Sequence, residues 1–413
     1  MHARNANLRL LYSCVCARSR SAMHQVWRKT QGLPWEPSVS GGLAANVEHL
    51  VSVEAKPNPQ PIPADALGLA FGALSHPKLV KQITDPSLVL RQKALAHVCE
   101  EIRSTKELQS FLVAGLVPAA NTAAGDADQA VRTSASRVLA RAARDHAGQE
   151  QMLEHASVAV LLKLLADGVG EVRANVLAAI RELGRARAGA AALVAADSVT
   201  LLVGRSVDEE AELQGAALAA LLQCMSIEAG LLAAISADAI EKLLPVLDAA
   251  APAAREQSAY CLAALTVRPT EKQAALKAGV VPKLVALLRD PNAPVRTAAA
   301  GGLMSMAADV ESKKAAVDAA AVAALAPLLD ESLALELRGA MDETTSKMTV
   351  NVAKCMALLS EDPRARKQLQ PCLNQLRPLA ESAQPLVQKH ASAAVAAVAW
   401  KPTLEGAKTS RSA

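Results

Sequence analysis

The feature that most constrains this chain is a period of 41 residues that runs through most of its length. One marker of the period is a polar residue, usually arginine, at the start of an alanine-rich segment. It recurs at Arg91, Arg132, Arg173, Gln214, Arg255 and Arg296. A second marker keeps the same step at Val117, Val158, Val199, Ile240, Val281 and Val322. Two markers with one common step predict a tandem array of similar units.

The repeating unit is clearest between residues 271 and 307. The segment EKQAALKA predicts a short helix that ends at Gly279, where a left-handed backbone conformation is favoured. A second helix follows, and after the breaker PNAP a third, longer helix. Apolar residues at helical spacing predict the buried faces of the last two helices: Val281, Leu284, Leu287 and Leu288, then Val295, Ala299, Leu303 and Met306. Gly301 and Gly302 indicate close approach of a neighbouring helix.

Composition and period together indicate the fold class. Hydrophobic residues make up 51% of the chain and aromatic residues only 2%, which favours closely packed helices. A period of roughly 40–47 residues is typical of armadillo and HEAT arrays, and a short–short–long helix pattern favours armadillo. We predict an all-α, armadillo-repeat, right-handed superhelical solenoid of about eight repeats of 41 residues, spanning residues 65–402. An insertion at about 331–347 is expected either as a loop on one face or as a lengthened helix pair.

The two ends do not carry the period. Residues 1–56 form a basic extension that is expected to be disordered, residues 57–64 a proline-rich linker, and residues 403–413 a disordered tail. Residues 1–35 contain no acidic residue, which is typical either of a mitochondrial transit peptide or of a disordered extension. Beyond residue 56 basic and acidic residues are equal in number, so no nucleic-acid partner is expected. The chain has no uncharged apolar run long enough to predict a membrane span.

No pattern in the sequence points to catalysis. The seven cysteines include no C-x-x-C pair, and the lone C-x-C of Cys14 and Cys16 is a weak metal signal, so buried thiols in a reducing compartment are expected. The eight histidines show no metal-binding spacing, and no phosphate-binding loop or G-x-S-x-G motif is found. We therefore expect no enzyme activity, catalytic residue, cofactor, metal or small-molecule substrate. Glu209, Glu210 and Glu212 are expected in a solvated loop.

The third helices of armadillo arrays line the concave groove, so the period identifies candidate partner-binding residues. Five and nine residues after the arginine marker, the candidates are Arg137, Arg141, Glu182, Gln223, Tyr260 and Ser305. These positions carry no ladder of Trp and Asn of the kind found in armadillo receptors for nuclear-localisation peptides. Arg137 and Arg141, with Arg181 and Arg185, form either a basic patch for an acidic partner segment or an ordinary solvated face. Tyr260 is either a contact anchor or a core residue.

Four segments resemble one family in order and spacing. They are ALGLAFGALSHPKL (66–79), LRQKALAHVCEEI (90–102), VRTAAAGGLMSMAADVESKKAAVDAAAVAALAPLL (295–329) and AVAAVAWKP (394–402). They are similar to the armadillo-repeat radial spoke proteins of motile cilia, the radial-spoke-head-fourteen homologues. The resemblance extends over roughly residues 57–402, and its more specific points are the glycine pair followed by Leu-Met and the final Trp-Lys-Pro. The basic extension and the 331–347 insertion depart from the family pattern.

The resemblance implies a non-enzymatic scaffold subunit of the radial spoke, located in the axoneme of cilia or flagella. Its implied partners are other radial spoke proteins in a multi-subunit complex that helps to regulate beating. The alternative function is a soluble armadillo adaptor or transport receptor that binds an extended peptide in its groove. The corresponding alternatives for localisation are the cytoplasm, or the mitochondrion if residues 1–35 are a transit peptide.

Overall fold

The computed structural model describes residues 66–68 and 75–401, which belong to one structural unit. The predicted basic extension, proline-rich linker and C-terminal tail lie outside the described residues.

Residues 75–401 form α-helices and two 3₁₀ turns and contain no strand. The helices are α1 (Ser75–Ile83), α2 (Leu88–Glu101), α3 (Thr105–Val113), α4 (Leu116–Ala123), α5 (Gln129–Ala142), α6 (His146–Glu154), α7 (Ser157–Leu164), α8 (Gly170–Gly184), α9 (Arg187–Ala195), α10 (Ser198–Asp208), α11 (Ala211–Cys224), α12 (Glu228–Ser236), α13 (Ala239–Leu243), α14 (Pro252–Leu265), α15 (Pro269–Ala278), α16 (Val280–Leu287), α17 (Ala293–Met306), α18 (Val310–Asp318), α19 (Ala321–Leu337), α20 (Glu343–Leu359), α21 (Pro363–Leu369), α22 (Leu373–Leu379) and α23 (Pro385–Ala399). The 3₁₀ turns are Pro245–Asp248 and Gln370–Cys372.

These helices are grouped in threes. The described part of repeat 1 contains α1 and α2, and each later repeat contains three consecutive helices, from α3–α5 in repeat 2 to α21–α23 in repeat 8. Each third helix packs on the third helix of the next repeat, from α2 on α5 through to α20 on α23. The helices thus stack as one continuous array, which confirms the predicted all-α armadillo solenoid.

The turn between the first and second helices depends on one left-handed residue in every repeat from 2 to 7. Gly279 has φ 84°, which confirms the conformation expected at that position. The equivalent positions recur at the 41-residue step: Gly115, Ala156, Asp197, Asp238, Gly279 and Ala320. Only two of the six are glycine, so the other four side chains occupy a backbone region that L-residues rarely adopt.

The turn before the third helix is stabilised by a carboxylate. Oδ1 of Asp167 accepts a hydrogen bond from the backbone N–H of Val169 at 2.9 Å, and Oδ1 of Asp290 accepts one from Asn292 at 2.8 Å. A short acidic side chain that bonds the backbone two residues ahead favours a turn over continued helix. In these two repeats the second helix therefore ends there, and the third begins on a new axis.

The core lies between the helices of successive repeats. The eight apolar residues predicted to face inwards in α16 and α17 are all buried, and Leu284 and Leu303 are almost completely inaccessible. All six apolar marker residues, Val117 to Val322, are buried as well. The core is built mainly from Ala, Leu and Val, which agrees with the low aromatic content.

The two glycines of α17 sit where neighbouring helices come close. A Cβ on Gly302 would lie 3.1 Å from the side chain of Leu284, and one on Gly301 would lie 3.2 Å from Asn351 in α20. Because a methyl group at either position would crowd its neighbour, the glycines permit tight packing. The prediction of close helix approach is confirmed.

The insertion is built into two lengthened helices. In repeat 7, α19 has 17 residues, compared with 8 in α16, and α20 also has 17. Residues 331–337 continue α19, and residues 343–347 begin α20. The hydroxyls of Ser332 and Thr349, which are 2.8 Å apart and buried, join the two helices. Of the two expectations, the lengthened helix pair is the one observed.

No single helix among the described residues is long and apolar enough to cross a membrane. Helices α9 and α10 reach that length and hydropathy only as a pair, and they are bent by 84° at the break between them.

Candidate functional site

The third-helix face is the surface formed by two rows of residues, five and nine positions after the arginine marker. The first row is Ala96, Arg137, Ala178, Ala219, Tyr260 and Gly301, and the second is Glu100, Arg141, Glu182, Gln223, Ala264 and Ser305. All twelve are exposed or partly exposed. The six predicted partner-binding residues lie in these rows, and they differ in the bonds that they already make within the protein.

Arg137 links two repeats. Its guanidinium pairs with the carboxylate of Glu171, in the first turn of α8. The Arg137 side chain remains 43% exposed, so water screens this pair. Its charge is nevertheless compensated within the protein.

Arg141 and Ser305 stabilise helix ends in the preceding repeats. Arg141 Nη1 donates to the carbonyl oxygens of Cys99 and Ile102, at the C-terminal end of α2. Ser305 Oγ donates to the carbonyl oxygens of Ala263 and Thr266, 3.3 Å away at the end of α14. Both residues occupy the second row and reach equivalent carbonyl groups, so they satisfy acceptors that a helix C-terminus leaves without partners.

Glu182 neutralises the second half of the expected basic patch. Its carboxylate is 2.7 Å from Arg181 Nη2 and 3.3 Å from Arg185 Nη1. Partial burial acts to raise the pKa of Glu182, but the two guanidiniums outweigh it and hold that pKa below its usual range. Each of the four patch arginines thus bonds an acid or backbone carbonyls of the protein itself, so the patch is not a free cationic surface.

Gln223 and Tyr260 differ from the other four predicted partner-binding residues in their bonding. Within the described part of the chain, neither side chain makes a hydrogen bond, and both are partly exposed. Tyr260 also packs against the edge of the core, and burial, together with the negative charge of Glu256, raises the pKa of its phenol. Its roles as core residue and as surface aromatic are therefore compatible.

Glu256, which the sequence analysis did not single out, lies one helical turn before Tyr260 in α14. It is partly buried, and it has no ion-pair or hydrogen-bond partner among residues 75–401. Burial raises the pKa of its carboxyl group. The sequence feature that could have identified Glu256 is its position four residues before Tyr260, the only aromatic residue in the two rows.

The arginine markers form an inter-repeat ladder that the sequence analysis also missed. Each ladder arginine pairs with a carboxylate of the next repeat, which lies in or beside the turn before the third helix in four of the pairs and inside α19 in the fifth. Four pairs are 35 residues apart and one is 36 apart. The pairs are Arg91–Asp126 (2.7 Å), Arg132–Asp167 (2.7 Å), Arg173–Glu209 (2.7 Å), Arg255–Asp290 (2.8 Å) and Arg296–Glu331 (2.6 Å). Every one of these guanidiniums also donates to a backbone carbonyl of its own turn.

This ladder corrects the expectation of a solvated acidic loop at residues 209–212. Only 3% of the Glu209 side chain is exposed, and Arg173, also buried, bonds both of its oxygens. The hydrogen bond to Glu209 raises the pKa of the Arg173 guanidinium above its usual value. Glu210 shares the same guanidinium at 2.8 Å, although most of its side chain is exposed. A carboxylate can be buried here because a cation accompanies it.

The ladder is interrupted once. Gln214 replaces the arginine in repeat 4, and the position that would hold its acidic partner in repeat 5 is Ala249. Asp248, the residue before, pairs instead with Lys283 of repeat 6. The described residues form no ion pair between repeats 4 and 5, where apolar packing of α11 on α14 makes the connection.

An open cleft of about 450 Å³ lies on the third-helix face of repeats 1 and 2. Its lining includes Glu100, Arg103, Ser134, Arg137 and Arg141. Since both signs of charge line the cleft and Arg141 is bonded to α2, the cleft is part of the repeat junction as much as a recess for a ligand.

The five described cysteines are all buried and unpaired. Burial raises the pKa of Cys224 to about 11 and that of Cys355 to about 12, which keeps these thiols protonated at neutral pH. Across the described residues, no group of three or more His, Cys, Asp or Glu side chains is placed to hold a metal ion. Cys14 and Cys16 lie outside this part of the chain.

Comparison with known proteins agrees with the repeat geometry. The armadillo/beta-catenin-like repeat family matches residues 269–307, which contain α15, α16 and α17. The chain is 30% identical over 141 residues to radial spoke protein 14 of Chlamydomonas reinhardtii, which covers 34% of this chain and 36% of that protein. The chain therefore spans about a third of the length of the curated relative that it matches.

Solved structures show the same fold. An engineered protein superposes with a TM-score of 0.68 at 26% identity and covers 80% of this chain and 79% of its own. A designed armadillo repeat protein superposes with a TM-score of 0.52 at 24% identity, over 56% of this chain and 100% of its own. The chain folds as an armadillo-repeat solenoid and is similar, over about a third of its length, to radial spoke protein 14 of Chlamydomonas reinhardtii.

Proposed function

We propose that this protein is a non-enzymatic scaffold subunit of the radial spoke in the axoneme of cilia or flagella, where it contributes to spoke assembly and to the regulation of beating. The observation that carries the proposal is the 30% identity to radial spoke protein 14. The proposed partners are other radial spoke proteins. Site residues for such partners are expected on the third-helix face, chiefly those whose bonding capacity is not used within the solenoid.

The construction of the solenoid supports a scaffold role. Successive repeats are joined by paired side chains as well as by core packing, and the ladder from Arg91 to Glu331 holds five of the junctions at a defined step. A stack of similar repeats presents a long surface from which several partners can be held at regular spacing. No single contact in such a scaffold has to be strong, because many weak contacts add together.

The test is retention in the axoneme. We would express the chain, fused to a biotin ligase, in cells with motile cilia, remove the membrane with detergent and measure the fraction retained. The expected result is retention, with radial spoke proteins more strongly biotinylated than other axonemal proteins. A designed armadillo repeat protein with the same fusion is the matched control for non-specific retention. A fusion that leaves with the detergent-soluble fraction, or labels spoke proteins no more than the control does, would contradict the proposal.

A further inference from the structure

The outer side of α23 is the place where the stack of third helices stops among the described residues. In α17 the corresponding side is covered by α20. There Gly301 approaches Asn351 of α20, and Thr297, one turn earlier, is buried. Helices α17 and α23 begin at equivalent positions, so the residues of α23 that correspond to Gly301 and Thr297 are Ala393 and Lys389. Both are exposed.

The exposed residues on this side of α23 form a stripe with heptad spacing. We call it the terminal stripe: Leu386, Lys389, Ala393, Ala396 and Trp400, all of them exposed. Steps of three and four residues bring these side chains to one side of the helix. Leu386 is 65% exposed and Trp400 55% exposed. The end repeat of a solenoid normally turns a polar outer face to water, whereas only Lys389 is polar in this stripe.

Trp400 is held in place at one end of the stripe. The guanidinium carbon of Arg366, in α21, is 4.7 Å from the centroid of the Trp400 ring. A cation over an aromatic ring is attracted by the negative potential of the π-system. The ring is thus oriented against repeat 8 while more than half of the residue stays accessible. A side chain that is already ordered loses little conformational entropy when a partner covers it.

The terminal stripe is symmetric about Ala393. Leu386 lies seven residues before Ala393 and Trp400 seven residues after it, a rise of about 10 Å along the helix in each direction. A two-fold interface requires a surface that is complementary to itself. Two antiparallel α23 helices related by an axis at Ala393 would place Leu386 of each copy against Trp400 of the other. The small side chains of Ala393 and Ala396 allow the two backbones to approach closely.

The charge of the stripe also fits a second copy. Lys389 lies one turn from Leu386, so in this arrangement its ammonium group reaches the Trp400 ring of the second copy, which attracts a cation. Its methylene groups cover apolar surface at the same time. The stripe contains no acidic residue, so the two Lys389 side chains repel each other across the axis. Salt screens that repulsion.

We propose that the terminal stripe is a self-association surface that joins two copies of this chain at repeat 8, with their α23 helices antiparallel about a two-fold axis at Ala393. The contact continues the packing of third helix on third helix that joins successive repeats within one chain. This inference goes beyond the proposed scaffold function, because it assigns a partner that is a second copy of the chain itself.

The test is sedimentation velocity of the purified full-length chain at about 1–100 µM. We expect a monomer–dimer equilibrium that shifts towards dimer as the salt concentration rises. Leu386→Ser should weaken the dimer about tenfold or more, because the substitution occurs twice in each interface. Ala393→Glu should abolish it, since two carboxylates would face each other at the axis. The matched control is Val113→Ser in α3, where the valine is 89% exposed, and it should change the association less than about twofold.

Cross-linking tests the geometry of the contact. In a background of Cys14→Ser and Cys16→Ser, Ala393→Cys should give a dimer with a short bismaleimide, because both copies of position 393 lie at the axis. The control Val113→Cys should remain monomeric under the same conditions. The five described natural cysteines are buried, which protects them from the reagent. Circular dichroism identifies any variant that has lost its fold.

Several results would overturn the proposal: a monomer over the whole concentration range, a dimer unaffected by Leu386→Ser and Ala393→Glu, equal cross-linking of Val113→Cys, or an association that weakens as salt is added. The outcome is separable from the test of the scaffold function, because sedimentation of purified protein does not depend on where the chain resides in the cell. A monomeric chain that is retained in axonemes would contradict only the self-association surface.

Discussion

Arg132 and Asp167 join two successive repeats through a guanidinium–carboxylate pair, with Arg132 Nε 2.7 Å from Asp167 Oδ2. The same guanidinium donates to the carbonyl oxygens of Asp126 and Ala127, and the same carboxylate accepts the N–H of Val169. One pair therefore secures a turn in each repeat and the step between the two repeats.

Breaking this pair should destabilise the solenoid. We expect Arg132→Gln or Asp167→Asn to lower the free energy of unfolding at neutral pH by about 1–3 kcal/mol, since each leaves a partly buried charge without its partner. The double variant should lose less than the sum of the two single losses. Chemical denaturation of the four proteins measures the coupling, and strictly additive losses would show that the pair has no energetic role.

The same pair predicts a dependence on pH. The hydrogen bond from Arg132 holds the pKa of Asp167 below its usual range. A carboxyl group whose pKa is lower in the folded state stabilises the protein above its unfolded pKa, about 3.9, and that stabilisation is lost as the pH falls through the folded pKa. The stability difference between the natural chain and Asp167→Asn should therefore shrink as the pH falls below about 4. A difference independent of pH would contradict the assignment.

The ion pair that is missing from the ladder between repeats 4 and 5 can be introduced by substitution. Gln214→Arg with Ala249→Asp would place the missing pair between repeats 4 and 5, and we expect the double variant to gain about 0.5–1.5 kcal/mol of stability. Each single variant should gain less, because the new charge then lacks its partner. The readout is the coupling energy in a double-mutant cycle, and a value near zero would mean that these positions are too far apart to pair.

The left-handed positions allow a paired test of backbone strain. Ala156 has φ 54°, so Ala156→Gly should remove strain and stabilise the protein by up to about 1 kcal/mol. Gly115→Ala should cost about 1 kcal/mol, although a Cβ there would meet nothing within 4 Å. Thermal unfolding measures both effects, and shifts in the same direction would disprove the account.

Two other glycines should respond in opposite ways to alanine. A Cβ on Gly189 would overlap the carbonyl oxygen of Leu183, so Gly189→Ala should destabilise the protein by more than about 2 kcal/mol. Gly204, inside α10, has open space around it, and Gly204→Ala should stabilise by about 0.5–1 kcal/mol through helix propensity. The denaturant concentration at the midpoint of unfolding measures the stability change of each variant. Tolerance of alanine at position 189 would indicate looser packing around Leu183 than the structure shows.

Much of the fold could be predicted from the sequence because the features that define one repeat depend on residues that are close together in the chain. The left-handed Gly279, the buried faces of α16 and α17 and the close packing at Gly302 follow from helix geometry and chain direction within one repeat. The candidate site was less predictable. The period located Arg141 and Tyr260 in the two rows, but it could not show that Arg141 bonds the end of α2 while Tyr260 makes no hydrogen bond within the described residues.

The sequence by itself determined the repeating unit and its step, because helix periodicity and turn chemistry depend on neighbouring residues. Only the tertiary structure decided which charges are paired. Arg173 and Glu209 are 36 residues apart, and they meet because one repeat stacks on the next. The physical reason is that a side chain's partner is set by the distance across the stack. Glu256 has no ion-pair partner within the described part of the chain because the stack brings no cation of that part close enough to it.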